Sequence, residues 1–293
     1  VYLVNSGSEA IEGALKLAKR FNNRREIISC VDAYHGSSHG ALSVGGNELF
    51  KRAYRPLLPG IRNINYGAIE QLEHITTDTS AIILETIQGE AGVRIADKEY
   101  FMALREKCNQ TGTLLIMDEV QTGFGRTGKF WAFEHFNIVP DIVVCAKGMG
   151  GGMPIGAFVT SKKIMDVFKE NPLLGHITTF GGHPVSAAAS LATIQTITEG
   201  NLIEQVEEKA TMFKRLLVHP KIKEIRSKGL MMAVAFDSFE VLKPIIDRCI
   251  DNGVITDWFL YCDNAMRIAP PLTINFEEIQ EACQCILQSI NED

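Results

Sequence analysis

Ile142-Val143-Val144-Cys145-Ala146-Lys147-Gly148-Met149-Gly150-Gly151-Gly152 is an apolar strand that delivers a lysine into a run of glycines. A second apolar strand, Leu114-Leu115-Ile116-Met117, ends in Asp118 and Glu119. Short unbroken apolar runs of this kind predict strands covered on both faces, as in a parallel sheet. Working outward, further strands are predicted over 1–4, 26–30, 80–85 and 156–160, with helices over 9–21, 99–110 and 163–169 between them. The alternation predicts an α/β fold whose large domain has a mainly parallel sheet flanked by helices. In such sheets ligands gather at the carboxyl ends of the strands, where Asp118 and Lys147 fall.

After Pro184 the character changes. Ser186-Ala187-Ala188-Ala189-Ser190 opens a long helix to about Glu199. Helices over 202–217, 239–252 and 276–290 then alternate with short strands over 230–236 and 266–269. This predicts a smaller C-terminal α+β domain, with the chain divided into residues 1–186 and 187–293.

The 293 residues carry a formal net charge of −6 and no Lys/Arg-rich stripe, so no nucleic-acid partner is expected. The longest apolar runs have strand length, and no membrane partner is expected either. Seven cysteines, at 30, 108, 145, 249, 262, 283 and 285, form an odd, scattered set without disulfide-scaffold spacing. Reduced thiols and a cytoplasmic location follow as expectations. The chain opens at Val1 inside the apolar run Val1-Tyr2-Leu3-Val4, and its natural N-terminus is expected to lie upstream.

A lysine and a carboxylate at the ends of two buried strands are the pair that pyridoxal 5'-phosphate requires. The amine condenses with the aldehyde, and the acid keeps the ring nitrogen protonated. Asn5-Ser6-Gly7-Ser8-Glu9-Ala10 joins the first strand to an amphipathic helix, with Ser6 and Glu9 at capping-box spacing. The stretch is either a plain capped helix or an anion cup, since free N–H groups and the helix dipole favour phosphate there. Tyr34, in Ala33-Tyr34-His35-Gly36, could stack on a cofactor ring or be an ordinary loop aromatic. His35 and His39 lack the third ligand or acidic neighbour that a metal site needs. Glu85 and Glu90, after the third strand, could hold guanidinium groups or orient other side chains. Thr178 and Thr179 precede a glycine pair and could bind phosphate. Arg267, on a short strand before Pro270-Pro271, could clamp a carboxylate or lie on the surface.

Gly123-Phe124-Gly125-Arg126-Thr127-Gly128-Lys129 satisfies two nucleotide-binding patterns. Phe130 stands where a P-loop needs Ser or Thr, and the first glycine comes too late after Asp118 for a dinucleotide turn. A conformationally specific loop beside the active site is expected instead.

Together these segments resemble the class III aminotransferases of ornithine and acetylornithine type, within the fold type I pyridoxal-phosphate enzymes. Asn5–Ala10, Tyr34–Gly36, Glu85–Gly92, Asp118–Gly128, Lys147–Pro154, Thr179–Pro184 and Arg267–Leu272 occur in the family's order. The resemblance implies that Lys147 bonds to the cofactor aldehyde, Asp118 pairs with the ring nitrogen, and Gln121 lies near the ring hydroxyl. It implies that Gly7 and Ser8 bind the phosphate, that Tyr34 stacks on the ring, and that Thr179 reaches the phosphate of a neighbouring subunit. Thr178 would face the substrate, and Arg267 would hold a substrate carboxylate, released or engaged through Glu90. The implied partners are a small amine donor, a keto acid such as 2-oxoglutarate, and a second copy of the chain in a homodimer. The family typically has arginine after the aromatic-x-Gly triplet, where this chain has Ser37. A decarboxylase or aminomutase of the same fold, or a non-catalytic homologue, are the alternative readings.

Overall fold

The carboxyl ends of three neighbouring strands decide where chemistry can occur in this chain. The structure, a computed structural model, describes residues 1–292. Tyr2–Val4 (β1), Glu26–Cys30 (β2), Ile61–Ile64 (β3), Thr79–Glu85 (β4), Leu114–Asp118 (β5), Ile142–Cys145 (β6) and Gly156–Thr160 (β7) form one sheet in the order β1-β7-β6-β5-β4-β2-β3. The pairings from β3 through β2, β4 and β5 to β6 are parallel, and β7 runs antiparallel to both β6 and β1. Register sets Glu85 opposite Asp118, and Asp118 opposite Val144, so the strand ends are aligned.

Gly7–Asn22 (α1) covers one face of the sheet. Its Ala10, Ile11, Ala14, Leu15, Leu17 and Ala18 pack with Val144 and Phe158. Gly13 permits that approach, because a Cβ there would lie 2.3 Å from the Phe158 ring. A short helix, His39–Val44 (α2), follows β2. Lys98–Thr111 (α3) covers the opposite face, burying Tyr100, Phe101, Leu104 and Cys108 against Leu84, Leu115 and Met117. Each fully buried Leu or Phe side chain contributes about 1.5–3 kcal/mol. The predicted helix over 163–169 is shorter, Lys162–Met165 (α4), and continues as a 3-10 turn over Asp166–Phe168.

Pro184–Glu199 (α5) places Ile197 in one apolar cluster with Cys145 and Ala157 of this sheet, and the expected division after residue 186 falls in its first turn. Glu224–Lys228 (β8), Met231–Ala235 (β9), Trp258–Phe259 (β10) and Cys262–Ile268 (β11) form a second, antiparallel sheet in the order β10-β11-β9-β8. Val206–Leu216 (α6), Phe239–Asp251 (α7) and Phe276–Asn291 (α8) share a core with it through Phe213, Met232, Val234, Ile245 and Ile279. The helix predicted from 202 begins only at Val206, since Asn201 is left-handed (φ 52°) and 201–205 form turns. The seven cysteines are free thiols. No helix among the described residues is long and apolar enough to cross a membrane.

Candidate active site

A cavity of about 340 Å³ opens at the carboxyl ends of β5 and β6, and Gly7, Ser8, Tyr34, Glu85, Asp118, Gln121 and Lys147 all line it. Lys147 follows β6 with a φ of 44°. A left-handed lysine costs roughly 1–2 kcal/mol of backbone strain, which the surrounding turn has to hold. Met149 N donates to Ala146 O at 3.0 Å across that turn.

Asp118 ends β5 and is buried. Its Oδ1 accepts from Val120 N at 3.0 Å, and its Oδ2 lies 2.7 Å from His35 Nδ1. Facing a carboxylate, Nδ1 is the donor. Nε2 of the same ring is buried without a partner. His35 is therefore a site residue, and contrary to the expectation from sequence its ring does have an acidic neighbour, supplied from 83 positions away. No group of three metal-ligating side chains accompanies it among the described residues.

Glu85 accepts from Tyr34 N at 3.0 Å and Gly89 N at 2.8 Å. Burial pushes its carboxyl up to about 7; the nearby His35 opposes the rise and the Asp118 charge adds to it. Glu85 thus orients backbone and holds no guanidinium. That role belongs to Glu90, whose Oε1 and Oε2 accept from Arg267 Nη1 at 3.0 Å and Nη2 at 2.9 Å. The Arg267 guanidinium also lies over the Phe259 ring, 4.6 Å from its centre. Arg267 and Lys147 both line a wider cleft of about 920 Å³ adjoining the first cavity. Glu119, beside Asp118, is turned into structure: it accepts from Thr86 Oγ1, Thr122 Oγ1, Ala132 N and Phe133 N at 2.5–3.0 Å.

At the start of α1, Ser6 Oγ accepts from Glu9 N at 3.2 Å, which is half of the expected capping box. The other half is redirected, since Glu9 Oε2 accepts from Asn5 N at 2.8 Å rather than from Ser6 N. The first N–H groups of a helix have no partner within it, and those of Gly7 and Ser8 stand at the cavity wall. A side chain at Gly7 would come within 3.0 Å of Val120. Gln121 packs so close to Gly89 that a Cβ there would meet its Oε1 at 1.9 Å.

Thr178 and Thr179 do not line this chain's cavity. Thr178 Oγ1 donates to Glu9 Oε2 at 3.3 Å, Asn5 Nδ2 donates to Thr179 O at 2.7 Å, and Thr179 is exposed. Ser37 N donates to Ser8 Oγ at 3.3 Å. The glycine-rich 123–129 loop ties the two sheets together: Arg126 Nη1 donates to Leu230 O and Pro270 O, and burial lowers the guanidinium to about 10.

Residues 1–290 match the family profile of the class-III aminotransferases. The chain is 39% identical to acetylornithine aminotransferase of Caldanaerobacter subterraneus subsp. tengcongensis, over the whole of this chain and 76% of that one. The crystal structure of ornithine aminotransferase from Toxoplasma gondii superposes with a TM-score of 0.92 at 31% identity, covering 99% of this chain and 72% of the other. An amine transaminase from an uncultivated Pseudomonas species, solved in its PLP-bound form, gives 0.89 at 27% identity, over 99% and 76% of the two chains. The mixed α/β fold, with its mainly parallel seven-stranded sheet, matches the fold type I aminotransferase structures. The chain belongs to the class-III aminotransferase family and is a transaminase of the acetylornithine/ornithine aminotransferase type.

Proposed function

We propose that this transaminase uses pyridoxal 5'-phosphate to move the amino group of an ornithine- or acetylornithine-like donor to a keto acid such as 2-oxoglutarate. The observation that carries the reading is the meeting of Lys147, Asp118 and the N-terminus of α1 on one cavity. The donor set fits the cofactor: N–H groups for a phosphate, a buried carboxylate for a protonated ring nitrogen, an amine for an aldehyde, and Tyr34 for a flat face. When bound, the cofactor supplies an aldehyde and an electron-accepting ring.

Asp118, fixed by His35 and Val120 N, would face the ring nitrogen. Gln121 would lie at the ring hydroxyl, and Gly7 and Ser8 would bind the phosphate. Lys147 Nζ would hold the cofactor by its aldehyde and would serve as the base and acid that moves the substrate proton. Arg267 would bind a substrate carboxylate in competition with Glu90, so an acid can open the pair and an amine without one leaves it closed. Thr178 and Thr179, outside this chain's cavity, would serve a second subunit's site, Thr179 at its phosphate. Glu85 would steady the Tyr34 and Gly89 backbones around the substrate. In this reading residues 1–186 form the cofactor domain, 187–293 the smaller one, and the enzyme is a cytoplasmic homodimer.

Serine at position 37 favours a second reading, in which the donor is a simple amine without a carboxylate. An amine panel with 2-oxoglutarate decides between them. Glutamate formed stoichiometrically from ornithine or acetylornithine, with turnover reduced roughly 10³-fold or more in Lys147→Ala, supports the first. Turnover confined to simple amines replaces it with the second, and keto acid left unconsumed by every donor removes both.

A further inference from the structure

Beside the catalytic cavity lies a second chamber of about 380 Å³, and the two share Tyr34, His35 and Gly36 as a common wall. Phe50 and Tyr261 stand on its other side with ring centres 5.4 Å apart, edge to face. Lys51 lines both this chamber and a neighbouring cleft that holds Glu48 and Arg55, yet it is only 5% exposed. Its Nζ donates to Gly45 O at 2.8 Å, and the nearest carboxylate, Glu48, is 3.7 Å away. That carboxylate is largely exposed, and both its oxygens already accept from Arg55 Nη2 at 2.8 Å.

An ammonium has three donors, and a desolvated cation needs compensation for each. Lys51 has one close acceptor and a distant, shared counter-charge. Burial accordingly holds its pKa below the usual lysine value, against the opposing pull of Glu48. A cation in that condition is stabilised by an anion that comes within reach of its ammonium. Ser37 lines the same chamber, at the position where the sequence resemblance leads one to expect an arginine.

We propose that this chamber is the donor subsite and that Lys51 binds the carboxylate of the amine donor, replacing the charge that Ser37 does not supply. The aliphatic part of the donor lies along Phe50 and Tyr261, and its amine reaches the catalytic cavity past Tyr34 and Gly36. The assignment rests on the transaminase reading for the donor's identity; the pairing of Lys51 with a carboxylate does not depend on it.

Ornithine and 1,4-diaminobutane differ by the carboxylate, so the ratio of their kcat/KM values on the holoenzyme isolates its recognition. In Lys51→Met that ratio falls at least tenfold, through KM for ornithine. Lys51→Arg keeps it, and adding Ser37→Arg to Lys51→Met restores it. If Lys51→Met does not fold, Lys51→Gln, which keeps a donor for Gly45 O, is read in its place. A ratio that does not move, or one that falls and is not restored by an arginine at 37, overturns the proposal. If neither donor reacts with the wild type, the ornithine-like reading has failed separately. Titration calorimetry with pentanoate then reads the subsite: binding weakened tenfold or more in the Lys51 variant supports it, and equal binding overturns it.

Discussion

At the scale of single residues, the site is governed by buried carboxylates. Asp118 is steadied by His35, while Glu85 has only backbone N–H donors and a raised pKa of about 7. The folded chain therefore binds the Glu85 proton more tightly than the unfolded chain, whose value is near 4.5. This favours folding fully below the unfolded value, and the advantage disappears as pH rises through the folded one. Relative to Glu85→Gln, the cofactor-free wild type should lose about 2–3 kcal/mol of unfolding free energy between pH 5 and pH 8. Urea titrations of both proteins measure this, and parallel pH profiles would show that Glu85 does not titrate in this window. The meeting of Lys147, Asp118, Tyr34 and Gly7 on one cavity was legible in the sequence because each lies at the end of a predicted strand or in the loop just after it. His35, Glu119 and Lys51 were not, because what defines them is a partner or a cavity brought together from distant segments. A histidine between a tyrosine and a glycine looks like loop until β5 delivers an aspartate beside it.

At the scale of elements, α1 shows how much of its geometry is local and how much is borrowed. Its cap was readable from Ser6 and Glu9, but the diversion of Glu9 to Asn5 N depends on the 178–179 segment lying against it. Ser6→Ala should cost about 1 kcal/mol, the ordinary value of a lost N-cap. Gly13→Ala should cost more, about 1–2 kcal/mol net. Overpacking against the Phe158 ring, worth about 1–3 kcal/mol, exceeds the helix-propensity gain of up to about 1. Thermal unfolding of the two variants tests the order; a stabilised Gly13→Ala would mean that the ring can move aside. Strands β4, β5 and β6 could be read from composition because sheet and helices bury them almost completely. Ile61-Arg62-Asn63-Ile64 and Glu224-Ile225-Arg226-Ser227-Lys228 could not, since β3 and β8 end their sheets and carry polar side chains that reach water.

At the scale of the whole molecule, the two sheets are joined by loop hydrogen bonds, by the Glu90–Arg267 pair and by an apolar cluster of Ile87 and Val93 with Met231 and Phe259. Arg126 reaches Leu230 O and Pro270 O, Leu230 N returns a bond to Arg126 O at 3.1 Å, and Arg226 Nε donates to Gly92 O at 2.7 Å. Arg126→Ala should lower stability by about 2–3 kcal/mol, the worth of charge-assisted bonds to part-buried carbonyls. Chemical denaturation followed by two probes, one for each sheet, should then show transitions that no longer coincide; coincident, unshifted curves would assign the coupling elsewhere. The sequence motif that imitated a nucleotide loop is, in three dimensions, a fastener. The pairing of β1 with β7 sets Tyr2 opposite Phe158 and Val4 opposite Gly156, and it completes the turn that leads into α1. On a ribosome adding roughly 5–20 residues per second, the first of these strands waits roughly 8–30 s for the second to emerge. During that interval the nascent Asn5–Ser8 turn lacks the wall it will finally rest on, and an apolar ribbon stays uncovered.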